Sequence, residues 1–322
     1  MTSPFTIELM QIGEPGWLDL WKDWPQDKPI ALQQHPHYLA ALTSLGAHLD
    51  IAIVKKRDQA VAFAPLAHNK FYKLFRVTSC FRGPVFLGPL TQDDKIQVYK
   101  VLKNLGNKLK WHFMNIQPDE EASKENIFEL KKAGLTQVMT GFSTAWLDIR
   151  PEDRLLREGL NGKWRNQLKN AEQADFEISH SFDKQKNYQW LLSAEAMHAK
   201  LKGYPNTPRA LIEQYELIAK NFSQDQKPAV LNVNAFKRRE KLAGGLFLLH
   251  GHSATYQIGW ISEEGRKVNA LNRILWEAIL LLKLQGISFF DLGGLETSKY
   301  ANLARFKLGT GAIPISYAGS FT

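Results

Sequence analysis

Three apolar stretches rich in strand-forming residues follow one another closely in the second half of the chain, at 229–236, 242–250 and 254–261. The connections between them, 237–241 and 251–253, are hairpin-sized. Turns that short join antiparallel neighbours, because a parallel crossover needs a dozen residues or more. The period then changes. Over 269–285, Leu271, Leu275, Ile279 and Leu282 recur at spacings of three and four, which predicts an amphipathic helix. Gly286 ends that helix, and 288–292 reads as a short strand. A hairpin-linked sheet followed by a helix and a further strand argues against one continuous parallel sheet.

The first half shows the same succession. After a Trp-rich opening (Trp17, Trp21, Trp24) and a short helix over 36–45, strand-like runs are predicted at 51–55, 60–66 and 75–79. Residues 82–90 read as turn, strand, turn. A helix is predicted over 92–110, with Asp93 and Asp94 in its first turn and Lys108 and Lys110 in its last, complementing the helix dipole. A strand at 112–117, a helix at 120–132 ended by Gly134, and a strand region at 137–149 complete that half. In the second half, Pro151, Glu152 and Asp153 mark a helix start. That helix is expected to reach 174 with a break at Asn161-Gly162, and two more follow at 186–202 and 207–221. A last strand is expected at 313–318. The fold class predicted is α/β (α+β): two tandem related domains, 1–149 and 150–322, each a mixed, mainly antiparallel sheet flanked by helices.

Composition narrows the function. Of 322 residues, 44% are hydrophobic and 23% charged, as in a chain with a full core rather than a disordered one. Cys80 is the sole cysteine, which excludes an internal disulfide and argues against a thiolate metal site. The N-terminal residues lack a signal-peptide pattern. The greasiest window, 275–284, contains Glu277 and Lys283 and is too short to span a bilayer. A cytoplasmic location with no transmembrane segment follows, with peripheral membrane contact left open. The net charge of +9 is spread over both halves. It favours a polyanionic partner such as tRNA, a nucleotide-linked substrate or an anionic headgroup, and agrees equally with a merely basic surface. No Gly-x-Ser-x-Gly elbow, Walker loop or dinucleotide fingerprint occurs. His35-x-His37 and His250-x-His252 lack an evident carboxylate partner and read as turn or surface histidines, so no metal is expected.

Several motifs in this order resemble those of the FemAB-like branch of the GNAT acyltransferase superfamily. Leu242-Ala243-Gly244-Gly245-Leu246, leading into Ala254-Thr255-Tyr256-Gln257, is similar to its paired central strands. Asn269-Ala270-Leu271-Asn272 resembles the start of its cofactor-side helix. Phe289-Phe290-Asp291-Leu292-Gly293-Gly294 and Phe306-Lys307-Leu308-Gly309-Thr310-Gly311 are similar to its closing Asp-x-Gly-Gly and Phe-Lys-x-Gly segments. Arg82-Gly83-Pro84-Val85 fits in the first half, and Lys163-Trp164-Arg165 with Asn170-Ala171 in the second, although the family usually has Lys or Arg where Asn170 stands. The resemblance implies an acyl- or aminoacyltransferase acting on an amine, in cell-wall peptide or surface-polymer synthesis, with aminoacyl-tRNA or acyl-CoA as donor.

Acyl transfer to an amine needs a held donor, a neutral amine and stabilisation of the tetrahedral oxyanion. Lys307, anchored by Phe306 and followed by Gly-x-Gly, is the candidate for the third task. The resemblance implies transition-state stabilisation, which a fixed positive charge would explain; a surface lysine beside a turn is the plainer alternative. Asp291, at a strand's carboxyl end before Gly293-Gly294, could accept the amine proton or tie down the following loop. Lys163, Arg165 and Lys169 are candidates for substrate phosphates, the last two on one helix face, with a solvated stripe as the alternative. Tyr256 and Phe306 are further substrate-side candidates, and the loop 202–205 could border the acceptor. Arg266, Lys267 and Asn269 occupy the stretch where acetyl-CoA enzymes of the GNAT type carry a glycine-rich pyrophosphate loop. Here the stretch is Gly265-Arg266-Lys267-Val268-Asn269-Ala270, without paired glycines. That favours aminoacyl-tRNA as donor, while Arg266 and Lys267 keep CoA open through their charge. Two alternatives stand beside this reading: a CoA-dependent N-acetyltransferase, and a non-catalytic protein that binds RNA or an anionic precursor.

Overall fold

A computed structural model describes residues 4–22, 24–71, 75–108, 113–222, 227–296 and 300–322. The chain divides into two compact units, Met1–Ser143 with Ile315–Thr322, and Thr144–Pro314.

The first unit contains β1 (Phe5–Gln11), α1 (Pro36–Ser44), β2 (Leu49–Lys56), β3 (Gln59–Phe71), β4 (Phe75–Phe81), β5 (Val85–Phe86), α2 (Gln92–Lys108), β6 (Phe113–Gln117), α3 (Lys124–Lys132) and β7 (Gln137–Met139). Its sheet runs β1-β2-β3-β4-β6, then a C-terminal strand, then β7. The run Ile51–Val54 is buried throughout because β2 lies between two partners and under helices. Val98, Leu102 and Leu105 of α2, at helical spacing, join Leu130 of α3 and Ala62, Ala64 and Ile116 of the sheet in one core. The expected helix end at Lys110 and strand start at His112 lie outside the described residues.

The second unit continues with β8 (Ser143–Asp148), α4 (Asp153–Gly159), α5 (Gly162–Gln173), β9 (Glu177–Phe182), α6 (Gln185–Lys202), α7 (Arg209–Phe222), β10 (Val230–Lys237), β11 (Glu240–His250), β12 (Ser253–Ile261), α8 (Glu263–Lys267), α9 (Ala270–Leu284), β13 (Phe289–Gly294), α10 (Ala301–Leu308) and β14 (Ile313–Ser316). β15 (Ser320–Phe321) closes the chain. The sheet order is β14-β8-β13-β12-β11-β10-β9. The hairpins β10–β11 and β11–β12 are antiparallel, as their short turns require.

The sheet's two faces are set by adjacent glycines of β11. A Cβ on Gly245 would meet Ile274 of α9 at 2.9 Å, and one on Gly244 would meet Trp190 of α6 at 2.8 Å. Successive strand residues face opposite sides, so α9 and α6 cover opposite faces. Ile274, Leu275, Ile279 and Leu282 of α9 are fully buried, each contributing roughly 1.5–3 kcal/mol of hydrophobic stabilisation. On the other face Trp190 meets Trp260 edge-on at 5.5 Å.

Three features differ from the sequence reading. Residues 143–148 were expected to finish the first domain, yet β8 pairs with β13 in the second unit's sheet. The last residues fold with the first unit: Phe321 pairs with Ile116 of β6 and Gln137 of β7. A two-residue strand offers no period to read. His250 is not a turn or surface residue. It ends β11 fully buried, its Nε2 is 2.9 Å from Thr255 Oγ1, and burial, then His252, holds it near a pKa of about 3. His35 is buried, and His37 is held near about 4 by burial. A neutral imidazole is the form that an apolar interior tolerates. Among the described residues, no group of three or more His, Cys, Asp and Glu converges on a metal position.

Candidate active site

β12 and β13 are parallel neighbours, but their ladder stops early. Ser253, Ala254 and Thr255 pair with Phe289, Phe290 and Asp291, and no later pair is formed among the described residues although β12 continues to Ile261. The cause lies on the other side of β12. Against β11, Leu246 faces Ile258 and Phe247 faces Tyr256, so Gln257 is an extra, bulged residue. A bulge bends its strand and increases its twist, which turns β12 from β13 and leaves a wedge between them.

Asp291 fixes the wedge's other wall. Its Oδ1 accepts from Thr144 Oγ1 at 2.5 Å and from the Gly293 N–H at 2.8 Å. Gly293 has φ +76°, which a side chain would strain, and a Cβ there would sit 3.5 Å from Lys307 Nζ. Lys307 projects from the last turn of α10, is only 7% exposed, and donates from Nζ to the Gly294 carbonyl at 2.8 Å. It stands beside the turn at Gly309–Gly311, as the plainer alternative had it, but it is not a surface lysine. Burial pushes its pKa down to about 8, opposed by the charge of Asp291. The charge is correspondingly not fixed: it is present at pH 7 and lost on modest alkalinisation.

α10 is held by a residue to which the sequence reading gave no role. Trp164 of α5 is buried, donates from Nε1 to the Phe306 carbonyl at 3.0 Å, and stands 6.0 Å from the Phe306 ring. A Cβ on Gly309 would approach Trp164 to 2.6 Å, so that glycine serves this packing. The neighbouring basic residues point away: Lys163, Arg165 and Lys169 are exposed, while Trp164, Leu168 and Ala171 face inward. Arg165 donates to the carbonyls of Glu158 and Leu160, each at 2.9 Å, tying α5 to the end of α4. The structure does not gather these three around Lys307.

Tyr256 lies beside the bulge. Its ring stacks on Phe247 at 5.3 Å, and its hydroxyl, shielded from solvent over Gly259, has no hydrogen-bond partner among the described residues. Burial raises its pKa. An orphaned phenol in an apolar setting is a donor awaiting an acceptor.

The stretch expected to face a cofactor is a helix. Ser262 caps α8, its Oγ accepting from the Gly265 N–H at 3.0 Å. A Cβ on Gly265 would overlap the Leu242 carbonyl, so this glycine exists for packing. The N–H groups of Arg266, Asn269 and Asn272 bond to the carbonyls of Ser262, Arg266 and Asn269. Arg266 is exposed, Lys267 is paired with Glu264 at 2.6 Å, and Asn269 occupies the left-handed region at φ 54° to start α9.

No protein-family profile and no curated protein matches the sequence. Solved structures do. FemX superposes with a TM-score of 0.71 at 13% identity, over 91% of this chain and 96% of its own. A tandem GNAT protein from the clavulanic acid biosynthesis pathway gives 0.59 at 12% identity, over 98% of each chain. The fold is a tandem GNAT fold. A third match is the C-terminal domain of a putative lysylphosphatidylglycerol synthetase from Agrobacterium fabrum, with a TM-score of 0.51 at 13% identity, over 90% of this chain and 88% of that one.

Within this fold the wedge and the start of α9 are where a CoA donor would be tested for fit. A pyrophosphate needs a concave row of free N–H groups. Here the N–H groups of Gly265, Arg266, Asn269 and Asn272 are already used, and the glycine is buried against a carbonyl. The first turn of α9, at Ala270 and Leu271, has no side-chain cap and is the part of the stretch left to meet a phosphate.

Proposed function

We propose that this chain is an acyltransferase that moves an aminoacyl or acyl group onto an amine, with its reaction centre at the wedge between β12 and β13. The observation that carries the reading is Lys307, a buried ammonium at the end of a strand opening. In the transfer, the neutral amine nitrogen attacks the donor's ester carbonyl and a C–N bond forms. The carbonyl oxygen takes the negative charge of the tetrahedral intermediate, and Lys307 Nζ stabilises it in a site sheltered from water. The C–O bond to the donor then breaks, and the proton lost by nitrogen goes to the leaving oxygen. Asp291 orients the loop that carries Gly293 and Gly294, and its charge keeps Lys307 protonated at neutral pH.

The likeness to FemX supports an acyl-transfer fold, and the helical α8 favours an aminoacyl-tRNA donor over acyl-CoA. The net charge of +9 suits a polyanionic donor. Work in cell-wall peptide or surface-polymer assembly is the corresponding role. The test is a single-turnover assay with a lysine-containing peptide acceptor, offering aminoacyl-tRNA or acetyl-CoA as donor, alongside calorimetry with acetyl-CoA. Transfer from aminoacyl-tRNA with weak or no CoA binding is expected. Micromolar CoA binding with transfer from acetyl-CoA alone would replace the donor assignment.

A further inference from the structure

The turn between β10 and β11 is unfavourable in conformation and crowded with charge. Lys237 pairs with Glu240 across it, so Arg238 and Arg239 are its two central residues. Both have positive φ, 55° and 107°. Two-residue hairpin turns of this kind prefer Asn-Gly, which enters the left-handed region readily, whereas arginine does so at a cost. The run Lys237-Arg238-Arg239-Glu240-Lys241 is exposed throughout and places four cations within five residues. A backbone outlier of that kind is the place to look for side chains with a task.

These cations are left for a partner. Among the described residues, Arg238 and Arg239 form no ion pair. Lys237 reaches Asp175 at 3.4 Å with both side chains open to water, and Lys241 lies 4.4 Å over the Trp190 ring. The corresponding turn of the first unit, between β2 and β3, has the same left-handed backbone at Arg57 and Asp58, φ 50° and 68°, but neutralises its charge. There Lys55 pairs with Glu8 at 2.7 Å and Lys56 with Asp94 at 2.8 Å, while Asp58 offsets Arg57. Pairing register fixes where the basic turn lies. Ala243 of β11 faces Ile261 of β12, so the turn and the end of β12 share one end of the sheet. That is the end toward which β12 and β13 diverge after Thr255 and Asp291. Thr255 faces Leu248, nine residues along β11 from Arg239, so the turn stands roughly 30 Å from the last β12–β13 pair.

We propose that the β10–β11 turn grips the phosphate backbone of the RNA that carries the acyl group, with Arg238 and Arg239 each pairing with phosphate oxygens. This rests on the aminoacyl-tRNA reading above and adds to it the surface that holds the RNA. The planar fork of a guanidinium matches two phosphate oxygens, and an RNA strand presents a phosphate at every nucleotide. The five residues include no apolar side chain to sink into a bilayer, so RNA rather than a lipid surface is the polyanion that fits. The contact falls several nucleotides away from the reacting ester.

The experiment is a fluorescence-anisotropy titration of the full chain with a labelled RNA minihelix, a stem-loop with a single-stranded 3′ end, repeated over a range of salt concentrations. Arg238→Asn with Arg239→Gly removes both cations and supplies the residues such a turn prefers, so the fold is kept. Binding should weaken roughly tenfold or more at fixed salt, and the slope of log K against log salt should flatten by about two, one phosphate contact for each arginine. Lys124→Gln with Lys131→Gln removes equal charge from exposed positions of α3 and should leave that slope unchanged. An unchanged slope in the turn variant, or equal flattening in both variants, overturns the turn as the RNA contact. Arginine-dependent binding to phosphatidylglycerol vesicles in place of the minihelix overturns RNA as its partner. Titration requires no chemistry, so the two readings fail separately. A chain that holds the minihelix through the turn but transfers nothing from any donor overturns only the transfer reading. Transfer by the turn variant with an unaltered KM for aminoacyl-tRNA overturns only the turn.

Discussion

Replacing Lys307 by methionine tests whether a charge is held in the second unit at the expense of stability. Methionine keeps the length and helix preference of lysine and removes the ammonium. The ammonium's pKa is lowered from 10.5 to about 8, chiefly by burial. That shift corresponds to about 3 kcal/mol by which the folded state disfavours the charged form. Against it stands the hydrogen bond to the Gly294 carbonyl, whose loss leaves an acceptor short of a donor at a cost of about 1–2 kcal/mol. The variant should therefore be more stable at pH 7 by about 1–2 kcal/mol, a rise in Tm of roughly 2–8 °C for a unit of this size. The sign with pH follows from linkage. Between pH 8 and 10.5 the unfolded wild-type chain binds more protons than the folded one, so wild-type stability rises with pH across that window. Methionine has no such dependence, and the variant's advantage should shrink from pH 8 upward, vanish about 1 to 1.5 pH units higher, and give way by pH 10.5 to a wild type that is the more stable by about 1–2 kcal/mol. Thermal melts at pH 7, 8.5 and 10 read this directly. Transfer should meanwhile fall at least about a hundredfold at pH 7, the usual loss when a preorganised oxyanion donor is removed. A Tm difference that is independent of pH, or a variant less stable than wild type at pH 7, would refute the buried-charge argument. Retained transfer would refute the role.

Three further outcomes test the walls of the site. Asp291→Asn removes the negative charge that opposes the depression of Lys307, so the alkaline limb of the pH–rate profile should move to lower pH; an unmoved limb contradicts the coupling. Gly265→Ala drives a Cβ into the Leu242 carbonyl and should destabilise the second unit by about 1–3 kcal/mol in urea unfolding, where a wild-type midpoint would count against the packing. Gly259→Ala places a Cβ against the Tyr256 hydroxyl, and Tyr256→Leu in the same chain should restore much of the lost stability; a double-mutant cycle with no coupling would show that the ring does not lie over that glycine.

How much of this was legible depends on how local each cause is. The hairpins of β10–β12 and the helix α9 were readable because hydrophobic period and turn length are properties of neighbouring residues. The break at Asn161-Gly162 was readable for the same reason, and Asn161 caps α5 by accepting from the Lys163 N–H. Lys307 was singled out, but not its helix: eight residues at 301–308 between glycine-rich segments give too short a pattern, and Trp164, which bonds to the Phe306 carbonyl, lies 142 positions from it in the chain. Arg165 was read for charge, whereas its guanidinium serves two backbone carbonyls.

The two units repeat one plan, and a comparison of each unit's internal pairing locates what separates them. In the first, the parallel neighbours β4 and β6 pair without interruption from Val77–Phe113 to Phe81–Gln117, and β4 runs in unbroken register against β3. Beyond that ladder Asp119 meets Arg82 at 2.7 Å, and the Arg82 guanidinium lies 3.9 Å from the Tyr317 ring centre. The corresponding ladder of the second unit stops after three pairs, where Gln257 bulges on one side and the Asp291 turn with Gly293 and Gly294 forms the other. A strand in register has its backbone groups committed to its neighbours, and a ligand can reach them only where pairing ends. One inserted residue in β12 is thus a sufficient physical cause for the second copy of the plan to leave its strand pair open while the described part of the first closes over an ion pair.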